Sequence, residues 1–330
     1  MDLSILKDIC YIPSPSNHED KMVSYLKNLS IKHFKFYKSK KNSCTYSYDN
    51  GHPETVLIDA HIDTVHLRVI RYTKEGYIVA RPIGFDSDVL DGNTVVHLTS
   101  GSKGSVITVA PHLNIKHKKK INVLIDFGIP STEIINIISI GDVLIFDIDY
   151  YVMNKKNIVG TGLDNKASVY VLIEILLFFD KHISTLKYNL ILHFSSREET
   201  GMGSFANLRN KVIDKIFVLD TDIATDNELI SSDLVGNIIS NKGVVIPRNY
   251  EDDVLLGDEL VNIAKKYKIP YQLSFSGDFG GTNASYYTTN FDAYTQFIGI
   301  VLKNMHSPNE IVSIKDLESA FELLLAYLSN

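Results

Sequence analysis

The chain has 330 residues, 45% hydrophobic and 22% charged, which is enough apolar material for about two cored domains and argues against disorder. Its formal net charge of -6 offers no electrostatic footprint for nucleic acid or an anionic membrane surface. Two cysteines, Cys10 and Cys44, do not make a disulfide framework, and Met1–Lys7 lacks the basic start and apolar run of a secretion signal, so the expectation is a reducing, cytoplasmic setting. Leu3, Ile5, Leu6, Ile9 and Cys10 recur at helical spacing until Pro13 and Pro15 break the pattern. A second helix is expected from near His18, carrying Met22, Val23, Tyr25 and Leu26. Thr55–Ala60 is short, apolar and β-branched, as a buried strand is.

After Val65 the character changes. Short alternating runs at Tyr77–Ala80, Thr94–Leu98, Ser105–Val109, Ile121–Ile125 and Asp142–Phe146 read as strands, with Gly101–Gly104 as a hairpin loop. One helix is expected over Ser131–Ile138, capped by Ser131 or Thr132. The basic run His117–Lys120 reads as an exposed turn. These elements make a small β-barrel or sandwich. Beyond Asn157 an α/β pattern resumes: the turn Gly160–Asp164 opens a helix over Lys166–Phe179, strands are expected at Tyr188–Phe194 and Lys215–Leu219, Ala293–Val301 is strand-like, and a helix over Asp316–Leu328 closes the chain. The apolar run Val169–Phe179 is too short to span a bilayer. The fold class is therefore α/β, a mixed central sheet flanked by helices, interrupted by an inserted β module. The expected division is residues 1–65 with 155–330, and 66–154 inserted.

Polar groups recur where a buried strand ends: His61 with Asp63, Asp164, Glu198 with Glu199, Asp220, and His306. In open α/β sheets ligands bind at that edge. Each has an ordinary explanation alone, a helix cap for Asp164, a turn for Asp220 or His306, a solvated pair for Glu198 and Glu199. Carboxylates and imidazoles converging on one mouth either repel or bind cations, and mixed His and carboxylate donors suit zinc or a related metal. Five ligands are too many for one catalytic zinc with an open position, and suffice for two ions sharing a carboxylate. One carboxylate must stay outside the shell as general base, and the Glu198–Glu199 pair offers both roles. Asp63 is spaced to accept a hydrogen bond from the second nitrogen of His61. His193, His97 and His112 are expected to be structural.

These residues resemble the cytosolic metalloaminopeptidases that include glutamyl aminopeptidase and the tetrahedral, self-compartmentalising aminopeptidases, some carrying an endoglucanase label. The matching stretches are Ala60–Asp63, Gly162–Ala167, Arg197–Gly203, Val218–Asp222, Gly280–Ala284 and Met305–Glu310, with Ala80–Gly84 and Ile140–Val143 in the insert. The resemblance implies one divalent ion on His61, Asp164 and Asp220, and another on Asp164, Glu199 and His306. It implies Glu198 as base, Asp63 as the partner behind His61, and zinc, cobalt or manganese as the metal. It further implies short peptide substrates and an inserted domain for dimerisation, whose dimers can build a hollow dodecamer. In the wider clan the peptide after the bridging aspartate is often cis, so Asp164–Asn165 is a candidate. The chain departs from the pattern at Ser16–Asn17, Thr64–Val65–His66, Asn165, Lys166 and Asn283, with His66 close enough to the site to perturb it. The competing readings are a non-catalytic peptide-binding or scaffold relative, and a glycoside hydrolase, whose chemistry has no need of clustered histidines.

Overall fold

The computed structural model describes residues 1–110, 112, 121–275 and 281–330; the basic run His117–Lys120 lies outside them. Helices α1 (Leu3–Cys10) and α2 (Asp20–Lys27) come first. Asp2 caps α1 by accepting the Ser4 N–H at 2.9 Å, and Leu6, Ile9 and Cys10 are its buried stripe. Strands β1 (Lys35–Lys38), β2 (Cys44–Tyr48) and β3 (Thr55–His61) follow.

The inserted module is a closed antiparallel barrel of β4 (His66–Tyr72), β5 (Ile78–Ile83), β6 (Thr94–His97), β7 (Lys103–Val106), β8 (Val123–Asp126) and β9 (Val143–Phe146), in the order β4-β5-β8-β7-β6-β9. Closure removes the exposed edges that a small sheet would otherwise present. Leu67, Val69, Ile78, Val95, Ile125 and Leu144 fill its interior. Strand β4 is hidden in the sequence because a register shift between Val69 and Arg71 breaks its alternation. Helix α3 (Ser131–Ile134) is a single turn rather than the longer helix expected, and neither Ser131 nor Thr132 caps it, since Pro130 holds the cap position.

The remaining elements are β10 (Tyr150–Met153), β11 (Asn157–Gly160), α4 (Leu163–Lys181), β12 (Asn189–Ser195), β13 (Lys215–Ile223), α5 (Ser232–Val235), β14 (Val244–Pro247), α6 (Val254–Tyr267), β15 (Tyr271–Ser274), α7 (Asn283–Asn290), β16 (Tyr294–Lys303), β17 (Glu310–Ser313) and α8 (Ile314–Leu328). The large mixed sheet runs β1-β2-β12-β3-β13-β16-β17-β11-β10, with β14 and β15 joined through β16. At its centre β12, β3, β13 and β16 are mutually parallel. Helix α4 is apolar on almost every side, because it lies between the sheet strands β3 and β13 and the helices α1 and α8. Leu57, Ile191, Phe205, Val218, Ala284 and Tyr287 form a second core on the opposite face of the sheet. With both faces covered, the chemistry is confined to the carboxyl edge of the parallel strands.

Candidate active site

His61 ends β3 and stands opposite Ser195, the last residue of β12. The chain leaving β12 turns through Arg197, which is left-handed at φ 67°, into a short 3-10 turn bearing Glu198 and Glu199. Asp220 lies within β13, which runs on to Ile223 instead of stopping at Leu219 as expected. His306 follows β16. Asp164 is reached through Gly162, whose φ of 70° suits glycine and whose absent Cβ would otherwise sit 2.9 Å from the Thr64 methyl. Asp164 and Asn165 are non-helical at the mouth of α4, and the peptide bond between them is cis.

The geometry centres on Asp164. Its Oδ1 lies 3.3 Å from His61 Nε2 and its Oδ2 lies 3.1 Å from His306 Nε2. Around the first imidazole, Asp220 Oδ1 stands at 3.5 Å and Glu198 Oε2 at 4.0 Å from Nε2. Around the second, Glu199 Oε2 stands at 3.4 Å from His306 Nε2. Donor atoms of His61, Asp164 and Glu199 all fall within 4.8 Å of one another, the spacing of a shared cation site. Glu199 Oε1 is buried and has no hydrogen-bond partner among the described residues, as expected of an oxygen reserved for a cation. From the barrel side Gly84 closes in, at φ 88°, where a Cβ would approach Glu199 Oε2 to 3.1 Å.

Asp63 stands behind His61 and serves further neighbours as well. The Nδ1–H of His61 donates to the backbone carbonyl of Asp63 at 3.1 Å, while the Asp63 carboxylate is 3.6 Å away. That carboxylate accepts the Ser16 hydroxyl at 2.6 Å and the backbone N–H groups of Glu198 at 3.0 Å and Glu199 at 3.3 Å. Asp63 is thereby the anchor of the Glu198–Glu199 turn. Arg197 donates to Asn17, which is itself left-handed at φ 76°, a conformation asparagine tolerates better than most residues.

Electrostatically the cluster is over-supplied with acids. Burial pushes Glu198 up to about 8, and His61 opposes the shift without cancelling it. Burial likewise raises Glu199 and Asp220. For Asp164 burial is outweighed by hydrogen bonds to His306 and His61, which hold it below the usual carboxylate range. Burial disfavours charge on both imidazoles, yet Asp220 and Asp164 around His61, and Asp164 beside His306, raise both. A bound cation inverts this competition by drawing protons off the whole set.

Sequence reasoning missed the supports. Glu310, 1% exposed, accepts the His306 N–H at 2.7 Å and the Asp164 N–H at 3.1 Å, tying the two segments together. Its signal was its position four residues past His306. Lys166 reaches back with Nζ to the carbonyls of Ile12 at 2.9 Å and Cys10 at 3.2 Å, and burial pulls it down to about 8. Asn165 donates to the Leu219 carbonyl at 3.0 Å. Asn283 donates to Asp59 at 2.9 Å and to the Ser195 hydroxyl at 3.0 Å. His193, expected to be a packed strand histidine, is fully buried, with Nδ1 2.9 Å from Asp59 and 2.9 Å from the Tyr287 hydroxyl. His66 does not line the cleft: it is buried in β4, where Arg68 donates to its Nε2 at 3.2 Å. His97 pairs with Asp142 at 3.1 Å in the barrel, and His112 is exposed.

In front of the cluster opens a cleft whose walls include Thr221, Asp222, Asn249, Glu251 and Thr282. Over its whole length the chain is 24% identical to the lysyl aminopeptidase of Pyrococcus furiosus, covering 97% of that relative. Among solved structures, the TET1 peptidase of Pyrococcus horikoshii, which can assemble into a tetrahedron or a large octahedral shell, is similar with a TM-score of 0.84 and 25% identity, over 99% of this chain and 98% of that one. The TET aminopeptidase of a marine sediment archaeon of the Thaumarchaeota shares the fold with a TM-score of 0.90 at 23% identity, over 99% of this chain and 96% of that one. The M42 glutamyl aminopeptidase family matches residues 44–323, and the chain belongs to that family of peptide hydrolases.

Proposed function

We propose that the chain is a two-metal aminopeptidase that releases N-terminal residues from short peptides. The observation that carries this reading is Asp164, with one carboxylate oxygen facing His61 and the other facing His306. One ion would be held by His61, Asp164 and Asp220, and the other by Asp164, Glu199 and His306. Zinc suits these donors, and cobalt and manganese accept the same set. When bound, the ions supply Lewis-acid polarisation of the scissile carbonyl and acidification of the attacking water. The His61 Nδ1–H bond to the Asp63 carbonyl orients the imidazole so that Nε2 faces the acids. Glu198, outside the ligand set, takes the proton of the attacking water on its carboxylate and returns it to the leaving amine. Asp63 holds the Glu198 backbone while it does so.

Residues 1–65 and 155–330 form the catalytic unit in this reading, and 66–154 is an inserted domain for dimerisation. The chain works as a homo-oligomer built on dimers, up to a dodecamer. The assemblies of the TET1 peptidase support that expectation. Cys10 and Cys44 are both buried, unpaired thiols, which fits a cytoplasmic location. Among the described residues no helix is long and apolar enough to cross a membrane. The test is steady-state kinetics on a panel of aminoacyl amides with defined metals. Metal-dependent release of free amino acid supports the reading, and a metal-loaded protein inert on the whole panel ends it.

A further inference from the structure

The backbone of Glu199 is tied down, its N–H reaching the Asp63 carboxylate at 3.3 Å. Its own carboxylate is not. The side chain is 3% exposed, and Oε1 has no hydrogen-bond partner among the described residues. A glutamate has several side-chain torsions, so a carboxylate without donors keeps one place only where its neighbours block the others. The blocking neighbour belongs to the inserted barrel. Gly84, the residue after β5, turns at φ 88°, and a Cβ on it would stand 3.1 Å from Glu199 Oε2, 3.4 Å from the Glu199 carbonyl oxygen and 2.7 Å from the Val65 Cγ1 methyl. Glycine meets two demands here, a left-handed torsion and a close backbone approach. Gly92, Gly101 and Gly141 of the same barrel take the same hand with nothing within 4 Å of a Cβ, so only the torsion is asked of them. The barrel reaches the Glu198–Glu199 turn by a second route as well. Arg68, in β4, donates to the Ser16 carbonyl at 3.5 Å, and the Ser16 hydroxyl donates to the Asp63 carboxylate at 2.6 Å.

Resting on the reading of Glu199 as a metal ligand, we infer that Gly84 is a positioning residue of the metal centre, and that the inserted barrel thereby completes the site it interrupts. The Gly84 backbone forms a wall that keeps the Glu199 carboxylate beside His306, whose Nε2 lies 3.4 Å from Glu199 Oε2. A ligand fixed in advance loses less rotamer freedom when an ion arrives, so the wall contributes to affinity without touching the ion. A side chain at position 84 would press on Glu199 Oε2 inside ordinary van der Waals contact and move that one donor. His61 and Asp220 have no such contact with Gly84, so the ion they would hold keeps its own donors.

The experiment titrates the metal-free full chain with Co2+ by calorimetry, for wild type, Gly84→Ala and Gly141→Ala, and measures kcat on the best substrate of the amide panel at saturating Co2+. Gly141 has a φ of 89° and open space around its Cβ position, so Gly141→Ala carries the same backbone strain with no contact. Wild type and Gly141→Ala should take two ions with affinities within about twofold of each other, while Gly84→Ala loses about 10–100-fold in affinity for one ion and keeps the other. In Gly84→Ala alone kcat should fall where that ion is under-filled. Should Gly84→Ala fail to fold, the double variant with Val65→Ala relieves the shorter clash and should show the same single-ion loss. Two ions at wild-type affinity in either Gly84 variant, an equal loss in Gly141→Ala, or a loss of both ions alike overturns the inference. A wild type that binds two ions and cleaves no amide ends the aminopeptidase reading, while the affinities still decide the role of Gly84. A wild type that takes fewer than two ions ends both.

Discussion

The Asp63 carboxylate, fully buried, accepts the backbone N–H of Glu198 at 3.0 Å. A residue two positions past His61, one of the proposed ligands, thus sets where the proposed base stands. Removing that anchor in Asp63→Ala frees three donors at once, those of Ser16, Glu198 and Glu199. Loss of such an outer partner costs about 10–100-fold in activity or metal affinity. The expected outcome is a kcat lowered within that range at saturating metal, with Asp63→Asn between wild type and alanine. A kcat for Asp63→Ala within about twofold of wild type would show that the turn holds itself.

Glu198→Gln separates base from ligand. The amide cannot take a proton, so kcat should fall about 10²–10⁴-fold. Glu198 approaches His61 Nε2 only to 4.0 Å, and its loss should leave bound metal unchanged. Glu199→Gln should lower metal content as well. Elemental analysis of both variants beside their kinetics makes the distinction, and metal loss in Glu198→Gln would move it into the ligand set.

His66 gives the fold an acid sensitivity. Burial, aided by the Arg68 charge, pulls its pKa down to about 4, against about 6.5 when exposed. Below 6.5 the unfolded chain binds a proton that the folded chain refuses, so stability is full above that pH and falls as pH drops toward 4. By about pH 5 the loss reaches roughly 2 kcal/mol. His66→Gln keeps an acceptor for Arg68 and cannot titrate. Denaturant unfolding near pH 7.5 and pH 5 should show wild type losing about 2 kcal/mol more than the variant over that interval. Equal losses would mean that His66 protonates freely in the fold.

Asn283 is one of the positions at which the chain departs from the pattern it resembles. Its amide nitrogen, 2.9 Å from Asp59, is a donor that a carboxylate cannot replace. In Asn283→Asp two buried carboxyls share one site, and the pair holds a proton more tightly folded than unfolded. Stability should match wild type near pH 4 and fall by about 2–4 kcal/mol as pH rises to neutrality. A flat difference across that range would show that the site accommodates both carboxylates without holding a proton.

The metal-ligand candidates were legible because each follows an apolar, β-branched run. Thr55–Ala60 before His61 and Lys215–Leu219 before Asp220 carry that signal on their own. Helix α4 was legible because its burial on all sides demands an unbroken apolar run. What was lost depends on partners far away in sequence. The Asp59–His193 pair joins residues on neighbouring parallel strands, a register no local pattern encodes. Glu310 is an acid in a turn until the fold places the Asp164 and His306 amides against it. The place of Asp63 behind His61 was legible from their local spacing, while its hold on the Glu198 turn, 135 positions away, was not.

The central claim is that Asp164 is shared between two ions. Crystals of the zinc-loaded protein, measured on both sides of the zinc absorption edge, test it most directly. The predicted result is two anomalous peaks flanking the Asp164 carboxylate, one against His61 and Asp220, the other against Glu199 and His306. A single peak, or two peaks that leave Asp164 bound to only one of them, would contradict it.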